Sequence, residues 1–264
     1  MIAGVPRLPE AGETMTAVEL SYAQGGKGAN QAVAAARMGA RVRMNGCVGS
    51  DRFSQFAQEL LRGSGVDTSP VFNVGTDTGL ALITVADSGE NQIIVVPGAN
   101  AHLQPDDVDL GEHDGVLCQL EVPTETVAEA ARQCAGMFCL NAAPAKPVSI
   151  EVLVRADLVV VNRHELDALP ETPRLTALTL GAEGAVLLAD GDEVARARPP
   201  MVRAVDGTAA GDAFAACLVV SLLEQRDREE ALRRACAAGA LTASRPGAQP
   251  SLPTAAEVDE ILRG

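Results

Sequence analysis

Short apolar runs alternate with helical patterns along most of this 264-residue chain. Residues 115–120, 137–140 and 158–161 have the length and composition of buried strands. Residues 31–38 and 53–61 have the spacing of helices that bury one face. Parallel strands need a connection long enough to hold a helix, so this alternation predicts an α/β fold with a mostly parallel sheet flanked by helices.

Two apolar segments, residues 78–86 and 91–97, depart from that alternation because only Asp87-Ser-Gly-Glu90 separates them. Such spacing predicts a hairpin, and residues 14–24 are candidates to pair with it in a small separate sheet. The predicted division is an α/β domain over residues 25–77 and 98–264 and a small β lid over residues 10–24 and 78–97.

Composition excludes several classes of function. The formal net charge is −14 and no cluster of Lys and Arg is present, which argues against binding to nucleic acid. No apolar stretch is long enough for a membrane span, and the first residues lack a secretory signal, so a cytoplasmic location is expected. The six cysteines contain no C-x-x-C pair, which favours buried free thiols.

The segment from Ala204 to Phe214 carries two carboxylates, Asp206 and Asp212, around the predicted start of a helix. Residues 209–211 fall where backbone N–H groups have no partner within the helix, and a helix N-terminus attracts anions. Asp212 would direct a carboxylate at a bound anion, or it would only cap the helix. A base beside an anion site suggests phosphoryl transfer.

A second glycine-rich segment, Gly25-Gly-Lys-Gly-Ala-Asn30, precedes the helical pattern of residues 31–38. It is not a Walker A loop, because Gly28 follows the lysine where that motif requires Ser or Thr. Lys27 and Asn30 could donate hydrogen bonds to hydroxyls or phosphate, whereas a tight connection is the simpler use of the glycines.

Three later segments are candidate ligand sites, and the first two also have a simpler structural interpretation. Asn162 and Glu165 follow an apolar strand, where Glu165 either orders waters around Mg²⁺ or begins a helix. Residues 179–184 are either a tight turn or a backbone surface for a nucleotide. The loop at residues 245–251 offers carbonyl groups that could ligate a cation.

Together these segments resemble the PfkB family of carbohydrate kinases from about Gly12 to Leu262. Residues 25–36 are similar to the family's first signature, and residues 206–212 are similar to its second. Residues 247–251 also have the form typical of members that phosphorylate ribose. The resemblance implies transfer of the γ-phosphate of ATP to the 5-hydroxyl of D-ribose. The alternatives are another sugar or a nucleoside as acceptor, and a nucleotide-binding protein of weak activity.

The resemblance also implies a role for each matched residue. Asp212 would be the catalytic base, with an anion hole formed by Ala209, Ala210 and Gly211. Ribose would contact Gly26, Lys27, Gly28, Asn30, Glu121 and Asp212. The nucleotide would contact Asn162, Thr179, Gly181, Gly184, Gly211 and Cys236. Glu165 would position Mg²⁺, and K⁺ would be held by Asp206, Thr208, Thr242, Arg245, Gly247 and Ser251. Ribose and ATP are thus the expected small-molecule partners, and a homodimer formed through the small sheet is expected.

The sequence departs from the family pattern in three places. The family opens with a core strand ending in Asn-x-Asp, but only eight residues precede Pro9. That strand is expected to be missing from these residues, and a late start of the sequence is favoured over true loss. Gly207 stands where Thr is common, and the short span from Glu165 to Thr176 predicts the lack of a peripheral helix.

Overall fold

The computed structural model describes residues 1–264 as eight α-helices and twelve strands. The helices are α1 (Lys27–Arg37), α2 (Phe53–Gly63), α3 (Thr124–Gln133), α4 (Ile150–Arg155), α5 (Arg163–Asp167), α6 (Ala210–Leu223), α7 (Arg228–Ala243) and α8 (Ala255–Arg263). The strands are β1 (Ile2–Val5), β2 (Glu19–Ser21), β3 (Gly46–Val48), β4 (Val71–Asn73), β5 (Leu80–Ala86), β6 (Asn91–Val96), β7 (Gly115–Cys118), β8 (Met137–Asn141), β9 (Leu158–Asn162), β10 (Leu175–Thr179), β11 (Ala185–Ala189) and β12 (Asp192–Ala197).

The largest sheet has six strands in the order β12-β11-β10-β9-β8-β7. Neighbouring strands from β7 to β10 are parallel, and β11 and β12 extend the sheet in antiparallel fashion. Helices α3, α4 and α5 connect the parallel strands in chain order. The four apolar residues of β9, Leu158 to Val161, are all buried, as expected for a strand covered on both faces.

Helix α6 lies in the interior of the protein. All residues from Asp212 to Ser221 are buried, so this helix has no polar face to present to water. One side of α6 packs with the large sheet through Phe214 and Leu218, and another packs with α1 through Ala213 and Cys217. The N-terminus of α6 is therefore held in place from two directions.

A second sheet has four strands in the order β2-β1-β5-β6. The hairpin of β5 and β6 is antiparallel, and β1 pairs in parallel with β5. The sheet includes Ile2–Val5, which lies outside the lid boundaries expected from the sequence. A strand of four residues directly before Pro6 carries little periodicity by which to detect it.

The large sheet ends at β7, which is also its first strand in chain order. Strands β3 and β4 form a separate parallel pair. Between α5 and β10 the chain contains no helix, in agreement with the short span noted in the sequence. No helix is both long enough and apolar enough to cross a bilayer.

Two valines of α4 provide a test of the packing. Val152 is 4% exposed, whereas Val154 in the same helix is 76% exposed. Because truncation of a buried side chain leaves a cavity, Val152→Ala is expected to lower the free energy of unfolding by about 1–3 kcal/mol. The matched change Val154→Ala should alter it by less than about 0.5 kcal/mol. Urea unfolding of both variants measures the difference, and equal losses would contradict this packing.

Candidate active site

Polar side chains gather where the parallel strands of the large sheet end. Asn141, Asn162 and Thr179 are the last residues of β8, β9 and β10, and Glu121 follows β7 closely. Asn162 and Thr179 are paired in the register of β9 and β10. Ligands of open α/β sheets bind outside the carboxyl ends of the strands. This edge, the polar edge of the large sheet, is therefore the candidate site.

The carboxylate of Asp212 lies at the centre of this site and is only 5% exposed. Asn30 donates through Nδ2 to Oδ2 of Asp212 at 2.8 Å, and Gln31 donates through Nε2 to Oδ1 at 3.0 Å. Burial raises the pKa of Asp212, although the charge of Lys27 and the two amide hydrogen bonds oppose that effect. Asp212 bonds to side chains of α1 and does not cap its own helix.

The glycine-rich segment packs closely against the residues that follow β7, beside Asp212. The backbone N–H of Lys27 donates to Oε2 of Glu121 at 2.8 Å. Gly26 has a φ of 94°, a left-handed conformation that glycine adopts without strain. A Cβ on Gly28 would lie 3.2 Å from Nε2 of Gln119, so the backbone there is tightly packed. The structure thus brings together all six residues that the sequence assigned to sugar binding: Gly26, Lys27, Gly28, Asn30, Glu121 and Asp212.

The start of α6 is open to a ligand. A Cβ on Gly211 would meet no other atom within 4 Å. No side chain caps this helix. The N–H of Ala210 donates to the carbonyl of Gly207 at 3.2 Å, whereas the N–H groups of Ala209 and Gly211 have no partner and remain available to an anion. Ala209, the residue before the helix, has a left-handed φ of 62°. Such a conformation strains a residue with a Cβ, and strain of this kind often occurs at functional sites.

Asp206 connects the approach to α6 with the loop at residues 245–251. Its Oδ1 accepts a hydrogen bond from the N–H of Thr208 at 2.9 Å, and its Oδ2 accepts one from the N–H of Gly247 at 2.8 Å. Partial burial acts to raise the pKa of Asp206, but the hydrogen bonds outweigh burial and hold the pKa below its usual value. The pKa of Asp206 is therefore lowered while that of Asp212 is raised, so Asp206 loses its proton at lower pH than Asp212.

Three of the other residues assigned to K⁺ already use their side chains within the protein. Thr242 donates through Oγ1 to the carbonyl of Ala238, and Ser251 donates through Oγ to the carbonyl of Ala248. Arg245 pairs with Glu257 at 2.6 Å. The structure contains no group of three or more His, Cys, Asp or Glu side chains arranged to hold a metal. A cation in this loop would depend mainly on backbone carbonyls.

The residues assigned to the nucleotide and to Mg²⁺ fall into two groups. Asn162 and Glu165 form a capping box at the start of α5, with both hydrogen bonds at 2.8 Å. This arrangement agrees with the simpler interpretation of Glu165 as a helix-start residue, and it places both side chains at the polar edge. Gly181 has open space where a Cβ would stand, so a ligand could approach its backbone.

Gly184 and Cys236 belong to the packed interior. A Cβ on Gly184 would lie 2.0 Å from the carbonyl oxygen of Ala197, so the turn itself requires glycine. Cys236 is 5% exposed within the core beside the large sheet, and its thiol points at the same carbonyl of Ala197 at 3.7 Å. Burial raises the pKa of the Cys236 thiol to about 12. Ala197 pairs with Ala185, which pairs with Thr179, so Cys236 lies beneath the polar edge with its side chain buried.

Three polar residues of the site are not predicted by any sequence motif. Gln31 and Asn141 are 3% and 5% exposed and hydrogen bonded to each other, and Gln119 is 8% exposed beside Gly28. A polar residue inside an apolar pattern is the only sequence signal for such positions. That signal is present for Gln31, which precedes an otherwise apolar run, but it does not identify the partner.

Comparisons with known proteins agree with this geometry. The family model described as "pfkB family carbohydrate kinase" matches residues 2–255. The chain is 36% identical to the ribokinase of Haemophilus influenzae, covering 99% of this chain and 94% of that one. It is 39% identical to the ribokinase of Bacillus subtilis, covering 96% of this chain and 92% of that one.

Solved structures show the same fold. The crystal structure of the Thermotoga maritima ribokinase superposes with a TM-score of 0.92 at 33% identity and covers 100% of this chain and 95% of its own. The Arabidopsis thaliana ribokinase, solved in complex with ribose and ATP, gives a TM-score of 0.88 at 28% identity, with coverages of 100% and 95%.

Fold, polar edge and buried carboxylate define a phosphotransferase that acts on a sugar hydroxyl. The chain belongs to the PfkB family of carbohydrate kinases. The family and the fold class predicted from the sequence motifs are both confirmed.

The strained backbone at Ala209 leads to a stability prediction. Replacing Ala209 by Gly removes the Cβ from a left-handed residue, so the free energy of unfolding should rise by about 0.5–1 kcal/mol. The neighbouring change Ala210→Gly, at the first residue of α6, removes a Cβ from a helical backbone and should lower it by up to about 0.5 kcal/mol. Urea unfolding of the two neighbouring variants checks the sign, and a loss of stability in both would refute the left-handed assignment.

Proposed function

We propose that this protein transfers the γ-phosphate of ATP to the 5-hydroxyl of D-ribose. The observation that carries the proposal is the buried Asp212 carboxylate, which lies in the first turn of α6 beside uncapped N–H groups. Similarity to ribokinases over almost the whole chain supports ribose as the acceptor. The complex of the plant relative with ribose and ATP supports the pair of ligands.

Asp212 would act as the general base. Burial raises its pKa, so its carboxylate is a stronger base than an exposed one and can take a proton from an attacking hydroxyl. The carboxylate is held by Asn30 and Gln31, so it needs no reorientation at the moment of transfer. Glu121 and Lys27 would orient the other sugar hydroxyls, Glu121 as an acceptor of hydrogen bonds and Lys27 as a donor.

The start of α6 would hold the transferred phosphoryl group. Charge spreads over its equatorial oxygens during transfer, and fixed N–H donors stabilise that charge without rearranging. Ala209 and Gly211 would supply these donors, and Ala210 would join them if its N–H exchanged the carbonyl of Gly207 for the phosphoryl group. The helix dipole adds to the attraction. On the far side, Asn162, Thr179, Gly181 and the turn completed by Gly184 would contact the nucleotide. Cys236 could contribute only from beneath that surface, since its side chain is buried.

Two cations fit the oxygen groups present. Glu165 is partly exposed at the polar edge, and a carboxylate that water can reach suits a water-bearing Mg²⁺ that, when bound, would neutralise phosphate charge. The loop at residues 245–251, with Asp206 and Thr208, offers carboxylate, hydroxyl and carbonyl oxygens, and carbonyl oxygens can replace the hydration shell of K⁺. Asp206 already ties this loop to the segment before α6, so a cation there would stiffen the anion hole.

Replacing the proposed base tests the assignment directly. Asp212→Asn is expected to lower kcat for ribose phosphorylation by about 10²–10⁴, because the attacking hydroxyl loses its proton acceptor. A coupled assay of ADP release measures the rate, and the rise in Tm on adding ATP shows that the nucleotide still binds. Asp192→Asn, an exposed change on β12, serves as the control and should retain the native rate. Native turnover by Asp212→Asn would refute the assignment.

The same assay separates this proposal from its alternatives. A nucleotide-binding protein without kinase activity would bind ATP but show no ADP release that depends on ribose. A kinase for another acceptor would show greater kcat/KM with 2-deoxyribose, another pentose or a nucleoside than with ribose.

The small sheet supports a further proposal, that the protein forms a homodimer through it. Four large apolar residues share one face of this sheet by register, and their exposed fractions range from 37% to 64%: Leu20, Leu82, Ile94 and Val96. On the opposite face only Ile93 and Val95 are comparably exposed. Contiguous apolar surface of this kind is typical of protein interfaces.

Ile94→Lys is expected to convert the dimer to a monomer, because it places a charge in the middle of the shared apolar face. Light scattering after size-exclusion chromatography measures the mass. Val154→Lys introduces the same charge at an exposed valine of α4 and should leave the mass unchanged. A native protein that is monomeric at micromolar concentration would refute the dimer.

A further inference from the structure

A chain of buried amides links the backbone of β9 to Asp212. Asn141 donates through Nδ2 to the carbonyl of Val160 at 3.1 Å, and its Oδ1 accepts from Nε2 of Gln31 at 2.9 Å. The same Nε2 donates to Oδ1 of Asp212 at 3.0 Å. Both hydrogens of the Gln31 amide are therefore committed, one to Asn141 and one to Asp212.

The direction of this chain is fixed by chemistry. Nδ2 of Asn141 faces a carbonyl, so its Oδ1 must face Gln31. A reversed Gln31 amide would place its oxygen against two acceptors, the Oδ1 atoms of Asn141 and Asp212. Gln31 can therefore only donate to Asp212. A hydrogen bond from a donor favours the ionised form of a carboxylate.

The amide chain includes buried acceptor atoms that have no hydrogen-bond partner, and selection for stability does not explain them. Oε1 of Gln31 and Oδ1 of Asn30 are buried and have no hydrogen-bond partner in the protein. A buried acceptor without a partner destabilises the folded state, because it has lost its bonds to water. An apolar side chain at residue 31 would avoid this cost, and the next five residues of the helix, 32–36, are all alanine or valine. Local departures from good packing chemistry are expected at functional sites.

We propose that Gln31, seated by Asn141, is a positioning residue that sets the plane of the Asp212 carboxylate and stabilises its ionised form. The proposal rests on the function proposed above, in which Asp212 is the base. It assigns Asn30 and Gln31 different tasks, although they are adjacent on α1. Asn30 binds the second carboxylate oxygen and would also meet the sugar, whereas Gln31 connects the carboxylate to the sheet.

Charges near Asp212 define what its titration should show. Lys27 from α1 lowers the pKa of Asp212, Glu121 from the segment after β7 raises it, and burial raises it most. Loss of the Gln31 donor removes one of the effects that oppose burial. The pKa of Asp212 should then rise further, and the acid limb of the kcat/KM profile should move to higher pH.

Gln31→Met tests the proposal, because methionine keeps the length of the side chain and removes both donors. We expect kcat/KM for ribose at neutral pH to fall roughly 10- to 100-fold, the range typical of groups that orient a functional side chain. The acid limb of the kcat/KM profile should move to measurably higher pH. Gln58→Met is the matched control, since Gln58 is a buried glutamine of α2 that bonds only within its own helix. Its profile should match that of the native chain.

Gln31→Glu provides a second, opposite signature. When protonated, the introduced carboxyl group can still donate to Asp212, whereas its ionised form repels Asp212, since two adjacent carboxylates share one proton. This variant should lose activity as pH rises through a range where the native profile is flat. If Gln31 served only in packing, the pH profile of Gln31→Glu would show no such additional loss of activity.

An unfolding cycle tests the link without any substrate. Asp212 has a raised pKa in the folded state, so its contribution to stability is lost as pH rises through that pKa. Gln31→Met should deepen that loss, and the additional pH dependence should vanish in an Asp212→Asn background. The proposal would be overturned if Gln31→Met lowered the free energy of unfolding equally at every pH in both the native and the Asp212→Asn chains. It would also be overturned if the acid limb of the kcat/KM profile did not move. Absence of ribose-dependent turnover by the native chain would instead refute the proposed function, while the cycle still reports on Gln31.

Discussion

The burial of one carboxylate organises this protein. Asp212 is held out of water in the first turn of a helix that is itself buried, and an isolated charge in such a place is costly. The cost is offset by donors from α1 and by the charge of Lys27. These contacts require the N-termini of α1 and α6 to converge at the edge of the sheet. Small residues make this possible, because α1 and α6 pack closely through alanines and a cysteine.

The second carboxylate of the same segment has the opposite environment. Asp206 accepts two backbone N–H groups and keeps a low pKa, whereas Asp212 is enclosed and has a raised one. Two aspartates six residues apart thus become suited to different tasks. The first is suited to stabilising a loop and a cation, and the second is suited to accepting a proton. Residue type does not distinguish them, so the distinction comes from the surrounding backbone and side chains.

Local patterns in the sequence were sufficient for much of the fold and for the first outline of the site. The strands at residues 115–118 and 158–162, the hairpin of β5 and β6, and the buried helix α6 lie where periodicity placed them. Helix α1 begins at Lys27, four residues before the predicted start, so most of the glycine-rich segment belongs to its first turn. Strand β1 was outside the expected lid because its four residues show no clear alternation. Cys236 was grouped with nucleotide contacts by resemblance, yet its thiol is enclosed in the core. The roles of Gln31 and Asn141 could not be found from the sequence, because their bond joins residues 110 positions apart.

The sequence by itself determined which segments become helices and strands, where two helix N-termini carry glycine, and which family the chain resembles. Those features depend on residues close together in the chain, where spacing and side-chain chemistry act directly. Only the tertiary structure decided which carboxylate is buried, which amide donates to it and which glycine is needed for packing. Hydrogen bonds and desolvation act over a few ångströms, and the groups concerned come from α1, β8 and α6, up to 182 residues apart.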